Sequence, residues 1–207
     1  MNIIDLSYYI INYLHGDAPV SASITHLKLQ KLLYYLKVWG LVADNDLVEG
    51  NFYHWDYGPV NTTVFKTFTD FDNKELKPSP LISNNPTEDE KFFINFILLS
   101  YGSFSAFQLS KMTHSEEPWE KTPQNAIISP ELIKQYYSNK NFAKNFPINL
   151  DGPYYPVETN SHYSYIFDMD DSEQEEIYYN SFHEYLKSVS STNEELDDFL
   201  EKFAKII

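Results

Sequence analysis

The residues that could do chemistry here are first the histidines and carboxylates, and the chain contains no cysteine. That absence excludes disulfides, thiolate metal sites and a cysteine nucleophile. The six histidines, His15, His26, His54, His114, His162 and His183, are scattered. No predicted helix carries a His-x-x-x-His pair, so no zinc pattern emerges, and His162 and His183 read as surface residues. His114 with Glu116 and Glu117 has the residue types of an acid–base group. The favoured alternative is a helix end whose polar side chains tie down a turn. The acidic run from Asp168 to Glu176, which includes Asp170 and Asp171, lacks the glycine and ligand spacing of a calcium loop. It reads as a solvated helix start, where acids suit the helix dipole. With only six glycines there is no glycine-rich phosphate loop. The expectation is a non-enzymatic protein with no metal and no cofactor.

The elements that would position these groups are mostly helices. A first helix is predicted over Asn2 to His15, with an apolar stripe of Ile3, Leu6, Ile10 and Leu14. Thr25 is placed to cap a second helix, and Ile24 to staple onto Leu29. Leu29, Leu32, Leu33, Leu36 and Trp39 recur there at helical spacing, with Lys28, Lys31 and Lys37 largely off the stripe. Residues 47–60 read as short extended segments, with a turn at Gly50-Asn51 and an end at Gly58-Pro59. Asn61 caps a third helix expected to bury Val64, Phe65, Phe68 and Phe71. Thr87 with Glu90, and Ser105 with Gln108, form capping boxes for two more. Ser129-Pro130 opens a helix that buries Leu132, Ile133 and Tyr136. Residues 141–171 look irregular, with one short strand around Tyr163, Tyr165 and Phe167. Ser172 with Glu175, and Thr192 with Glu195, then open two last helices, the first with Tyr178, Phe182, Tyr185, Leu186 and Val189 as its stripe.

A chain of 207 residues with 43% hydrophobic content can bury a real core. The N-terminus lacks a signal-peptide pattern, and no apolar run reaches the ~18 residues of a membrane span, so a cytoplasmic location is the default expectation. The net charge is −15 and every basic residue is lysine. Without arginine the chain lacks the usual bidentate contact to phosphate or guanine, so direct nucleic-acid binding is not expected. Residues 1–150 carry 16 acidic and 12 basic groups, whereas 151–207 carry 14 and 3. Such an acidic tail suits a basic partner, and equally it could serve only solubility.

Three segments stand out in order along the chain. The first is Leu27-Lys28-Leu29-Gln30-Lys31-Leu32-Leu33-Tyr34-Tyr35. The second is Trp55-Asp56-Tyr57-Gly58-Pro59-Val60. The third runs from Ser105 through Gln108, Leu109 and Ser110 to Thr113-His114 and Glu117-Pro118-Trp119. In this order and at this spacing they resemble the SocA-like Panacea antitoxin family. The resemblance covers roughly residues 1–140, which it implies to be a mostly helical domain with little sheet. Residues 141–207 form an acidic, aromatic-rich extension outside it. The whole is therefore expected to be mainly α, with a small antiparallel β element near residues 47–58 and a C-terminal helical extension.

The family implies an antitoxin, from a bacterial or phage toxin–antitoxin pair, that blocks or sequesters a protein toxin by direct binding. The alternative is a phage-encoded inhibitor of a host defence effector on the same scaffold. Motif residues such as Trp55 and Trp119 can be core aromatics, and Gly58-Pro59 a turn that launches a helix. The partner surface is expected in the unmatched extension, on Tyr154, Tyr155, Tyr163, Tyr165 and Phe167 with Asp168, Asp170 and Asp171 around them. Exposed aromatics there would give contact area, and the acids would steer a basic toxin.

Overall fold

The structure, a computed structural model, describes residues 1–16, 23–71, 74–158 and 177–189. In chain order the described residues form α1 (Ile3–Gly16), α2 (His26–Val42), β1 (Tyr53–Trp55), β2 (Gly58–Val60), α3 (Thr62–Phe68), α4 (Glu88–Tyr101), α5 (Ala106–His114), α6 (Glu117–Glu120), α7 (Pro130–Tyr137) and α8 (Phe182–Val189). Short 3-10 turns at Thr69–Phe71 and Asn141–Asn145 add to them. The protein is mainly α, with one two-stranded antiparallel sheet.

Local chemistry sets the helix starts. The Thr25 side chain accepts from the Lys28 backbone N–H, and Asn61 Oδ1 accepts from those of Thr63 and Val64. Thr87 with Glu90 and Ser105 with Gln108 both close reciprocal capping boxes. Ser129 caps α7 ahead of Pro130. The β1–β2 hairpin pairs Trp55 with Gly58 across a two-residue turn. Gly58 has φ +94°, a left-handed conformation that suits a residue without Cβ.

Helix α2 is the axle. It packs against α1, α3, α4, α5, α7 and β2, and most of its residues are buried. Its lysines depart from the expectation that they sit off the apolar stripe. Lys28, Lys31 and Lys37 are all buried. Each ammonium finds a distant backbone carbonyl: Lys28 Nζ to Gly102 O at 2.7 Å, Lys31 Nζ to Pro59 O at 2.9 Å, Lys37 Nζ to Val48 O at 2.9 Å. Lys37 also pairs with Asp46 at 2.6 Å. A helix wrapped on all sides has no solvated face for lysines, and hydrogen bonds make their burial tolerable.

The core continues past residue 140. Phe142, Leu150, Tyr154, Val157, Phe182, Tyr185 and Leu186 join the same apolar cluster as α2 and α4. Tyr154 was expected to be an exposed contact residue; it is 1% exposed. Its hydroxyl donates to Ser100 Oγ at 2.8 Å, and its ring meets Phe96, Phe182 and Tyr185. Tyr155 is half-buried, and its backbone N–H donates to Asn145 Oδ1. The reason is local. Tyr154 and Tyr179 exchange backbone hydrogen bonds at 2.9 and 2.8 Å, which turns the two segments inward onto α4.

Three helical expectations also need correction. Residues 177–181 are not helical, so α8 begins at Phe182, with the Ser181 hydroxyl accepting from the Glu184 N–H, and Tyr178 is exposed. Phe65 on α3 and Phe71 in the 3-10 turn after it are partly exposed, whereas Val64 and Phe68 are buried. In α7 the buried pair is Ile133 and Tyr137; Leu132 and Tyr136 are half-buried. The expectations for Tyr163, Tyr165, Phe167, Asp168, Asp170, Asp171, the Ser172 cap and the helix opened by Thr192 fall outside the described residues.

Candidate functional site

Helix α2, the hairpin and the α5–α6 corner meet at one end of the fold, and the three motifs meet with them. Leu29, Leu32 and Tyr34 are buried in α2, and Leu109 is buried in α5. The motif's polar groups hold backbone. Gln30 Nε2 donates to Asn61 O at 3.1 Å, while Gln30 Oε1 accepts from the Asn61 N–H at 2.9 Å. Together with the Lys31–Pro59 bond, this clamps β2 onto α2. Gly58 leaves no room beside that bond: a Cβ would lie 2.6 Å from Thr113 Oγ1 and 2.9 Å from Lys31 Nζ.

From the other side, Ser110 Oγ donates to Tyr57 O at 2.9 Å, and Trp119 Nε1 donates to Trp55 O at 3.3 Å. The Trp119 ring lies between His54 and His114, with centroids 4.0 and 4.2 Å away. Pro118, buried in α6, helps fix this corner, while Ser105 caps α5 on the exposed side. His54 had no role assigned from sequence; its signal, one aromatic among the extended residues, was indistinguishable from that of its neighbours.

The electrostatics of this region follow from burial. Desolvation lowers Lys31 to about 7 and Lys28 to about 8. His114 is lowered by burial and then by Lys31 and His54, partly offset by a hydrogen bond with the Asp56 backbone. Its Nε2 is buried without a hydrogen-bond partner. Glu116 faces elsewhere, into a cavity of about 240 Å³ between α5 and α7. Its carboxylate accepts from Tyr35 OH at 3.0 Å and from Tyr137 OH, and burial raises it to about 7. No hydrogen bond joins the His114 ring to Glu116, so the structure does not assemble them into an acid–base pair. Among the described residues no group of three or more His, Cys, Asp or Glu is placed to hold a metal ion.

What these bonds hold out to solvent is aromatic. Tyr57, at the hairpin tip, is 70% exposed, and Phe107, in the first turn of α5, is 76% exposed. With Trp55, Val60 and Phe65 they line a groove of about 800 Å³ between the hairpin, α3 and α5. Trp55 and Phe65 meet edge to face at 4.9 Å, which fixes the groove wall. Phe107 and Phe65 were not recognised from sequence as surface residues. The available signal was their position: Phe107 lies off the inward face that Leu109, Ser110 and Thr113 share.

The motif residues thus hold a hairpin whose aromatic side chains are presented to solvent, and the same segment of the chain is the one that resembles known proteins. Residues 29–120 match the family model of the antitoxin SocA-like Panacea domain. The chain is also 34% identical over 116 residues to the antitoxin SocA of Caulobacter vibrioides (strain NA1000 / CB15N). That alignment covers 50% of this chain and 62% of the relative, so the match spans under two thirds of the relative's length. No solved structure matches the chain.

Proposed function

We infer that this protein is a non-enzymatic antitoxin that neutralises a protein toxin by binding it directly. The observation that carries the reading is how the Panacea motifs are used. Gln30, Lys31, Ser110 and Trp119 spend their polar groups on the backbone of residues 55–61. The outcome is a pinned hairpin that shows aromatic side chains to solvent, which is the equipment of a contact surface rather than a reaction centre. A surface held rigid before association loses little entropy on binding.

The chain's net charge of −15 favours a basic partner and speeds its approach. Among the described residues no single helix is long and apolar enough to cross a membrane, and the antitoxin reading places the protein in the cytoplasm with its toxin. The unmatched extension keeps a place in this reading as an acidic flank that steers the toxin, although Tyr154 belongs to the core. Co-expression with the protein encoded by the adjacent reading frame, scored for growth, tests the reading. Growth arrest by that protein alone, relieved by this chain with formation of an isolable complex, is the expected result. Relief without any complex would contradict direct binding.

A further inference from the structure

The groove beside the hairpin has the size and make-up of a docking site. At about 800 Å³ it has room for several side chains. Its walls come from elements that the Panacea motifs pin: Trp55 and Tyr57 from the hairpin, Phe65 from α3, and Phe107 from α5. Two of those residues, Tyr57 and Phe107, are among the most exposed large apolar side chains of the described protein. Aromatic side chains grouped and exposed in this way suit an interaction surface, since Tyr and other aromatics give large contact area.

The chemistry of the lining narrows the occupant. Gln30, Gln124 and Asn125 supply neutral polar edges, and among the described residues no lysine lines the groove. His26 is lowered by burial and then by Lys31, so it is neutral near pH 7. Among the described residues Asp56 is the one carboxylate at the rim, exposed, with Oδ1 accepting from Gln124 Nε2 at 2.6 Å. An uncharged aromatic trough with one acid at its edge, on a chain of net charge −15, complements apolar side chains flanked by a cation. A second copy of this chain is a poor occupant, because it brings the same charge of −15 to the interface.

We propose that this groove, resting on the antitoxin reading above, is where the toxin docks, by inserting an apolar segment whose flanking lysine or arginine meets Asp56. Tyr57 and Phe107 clasp the inserted side chains against the wall that Trp55 and Phe65 form. Buried motif residues outside the lining, Lys31 and Ser110 among them, act through the backbone they hold and do not touch the partner.

The test measures binding of the purified adjacent-frame protein to the full chain and to three variants at exposed positions. Tyr57→Ala combined with Phe107→Ala is expected to weaken binding at least tenfold and to abolish growth rescue, with the melting temperature unchanged. Asp56→Lys is expected to weaken binding and to reduce its sensitivity to salt. Leu81→Ala, at an exposed apolar residue outside the groove lining, is expected to change nothing. Unaltered binding by the double variant, with the wild type binding tightly, overturns the groove and leaves the antitoxin reading standing. No binding by the wild type overturns both. A wild-type dimer that the double variant converts to monomer, seen by light scattering, assigns the groove to self-association and overturns the proposal.

Discussion

Lys31 Nζ lies 2.9 Å from the carbonyl oxygen of Pro59, and this bond ties the buried axle helix to the presented hairpin. Burial lowers Lys31 to about 7, far below the ordinary lysine value. In the unfolded chain the amine releases its proton near 10.5. Between these values the unfolded state holds the extra proton, so stability rises with pH from about 7 upward. Lys28, lowered to about 8, adds to the rise. Above about pH 10 the buried tyrosines, whose values are raised, oppose it. Lys31→Met is expected to remove most of the rise, on the order of 4 kcal/mol across the window. It also leaves the Pro59 carbonyl unpaired, at a cost of about 1–3 kcal/mol. Urea unfolding at stepped pH measures both; an unchanged slope would show that Lys31 is solvated.

Glu116 gives the opposite sign. Its carboxyl is raised to about 7 by burial, against 4.5 for the ordinary group. Between those values the folded state holds the extra proton, so this group's contribution to stability falls as pH rises. His26 and His114, both lowered, act in the other direction below 6.5. Glu116→Gln keeps the acceptor for Tyr35 or Tyr137 and cannot titrate. The variant should therefore gain roughly 3 kcal/mol relative to wild type between pH 4.5 and 7. A wild-type/variant difference that does not vary with pH would refute the raised value.

Gly58→Ala should damage fold and binding together. The added Cβ meets Thr113 Oγ1 at 2.6 Å, on a backbone at φ +94°. The two effects together cost about 2–4 kcal/mol. Thermal unfolding should register the loss, and toxin binding should fall because the hairpin has to shift. Full stability with normal binding would mean that the turn is not held by Lys31 and Thr113.

Tyr154→Ala removes a ring packed on Phe96, Phe182 and Tyr185, together with the bond to Ser100. A loss of about 3–5 kcal/mol is expected in denaturant unfolding. For the same reason, deleting residues 150–207 should leave an unstable protein, because it strips Tyr154, Phe182, Tyr185 and Leu186 from the shared core. A stable, cooperatively folding truncation would restore the separate extension anticipated from sequence.

Helix starts were the most legible part of the fold, because a cap is local. Thr25, Asn61, Thr87, Ser105 and Ser129 each bond within three residues of themselves. The hairpin was legible through Gly58, whose left-handed φ is likewise a local demand. The burial of Lys28, Lys31 and Lys37 was not, because their partners are carbonyls of Gly102, Pro59 and Val48, set by tertiary packing. Tyr154 was hidden for a related reason. Its segment has no helical or alternating period, and a backbone bridge to Tyr179 turns it inward. At the candidate site the motif residues could be recognised by type, but not the division of labour among them. That division, with Lys31 inside and Tyr57 outside, depends on which side of a two-residue turn faces α2.

Hydrogen–deuterium exchange of the full chain, free and saturated with the adjacent-frame protein, tests the central claim most directly. The claim is that the Panacea motifs build the surface the toxin touches. Protection on binding is therefore expected in peptides covering residues 55–60, 65–69 and 105–108, the hairpin, outer α3 and start of α5 that line the groove. Protection confined to other segments, with those three exchanging as in the free protein, would contradict the account.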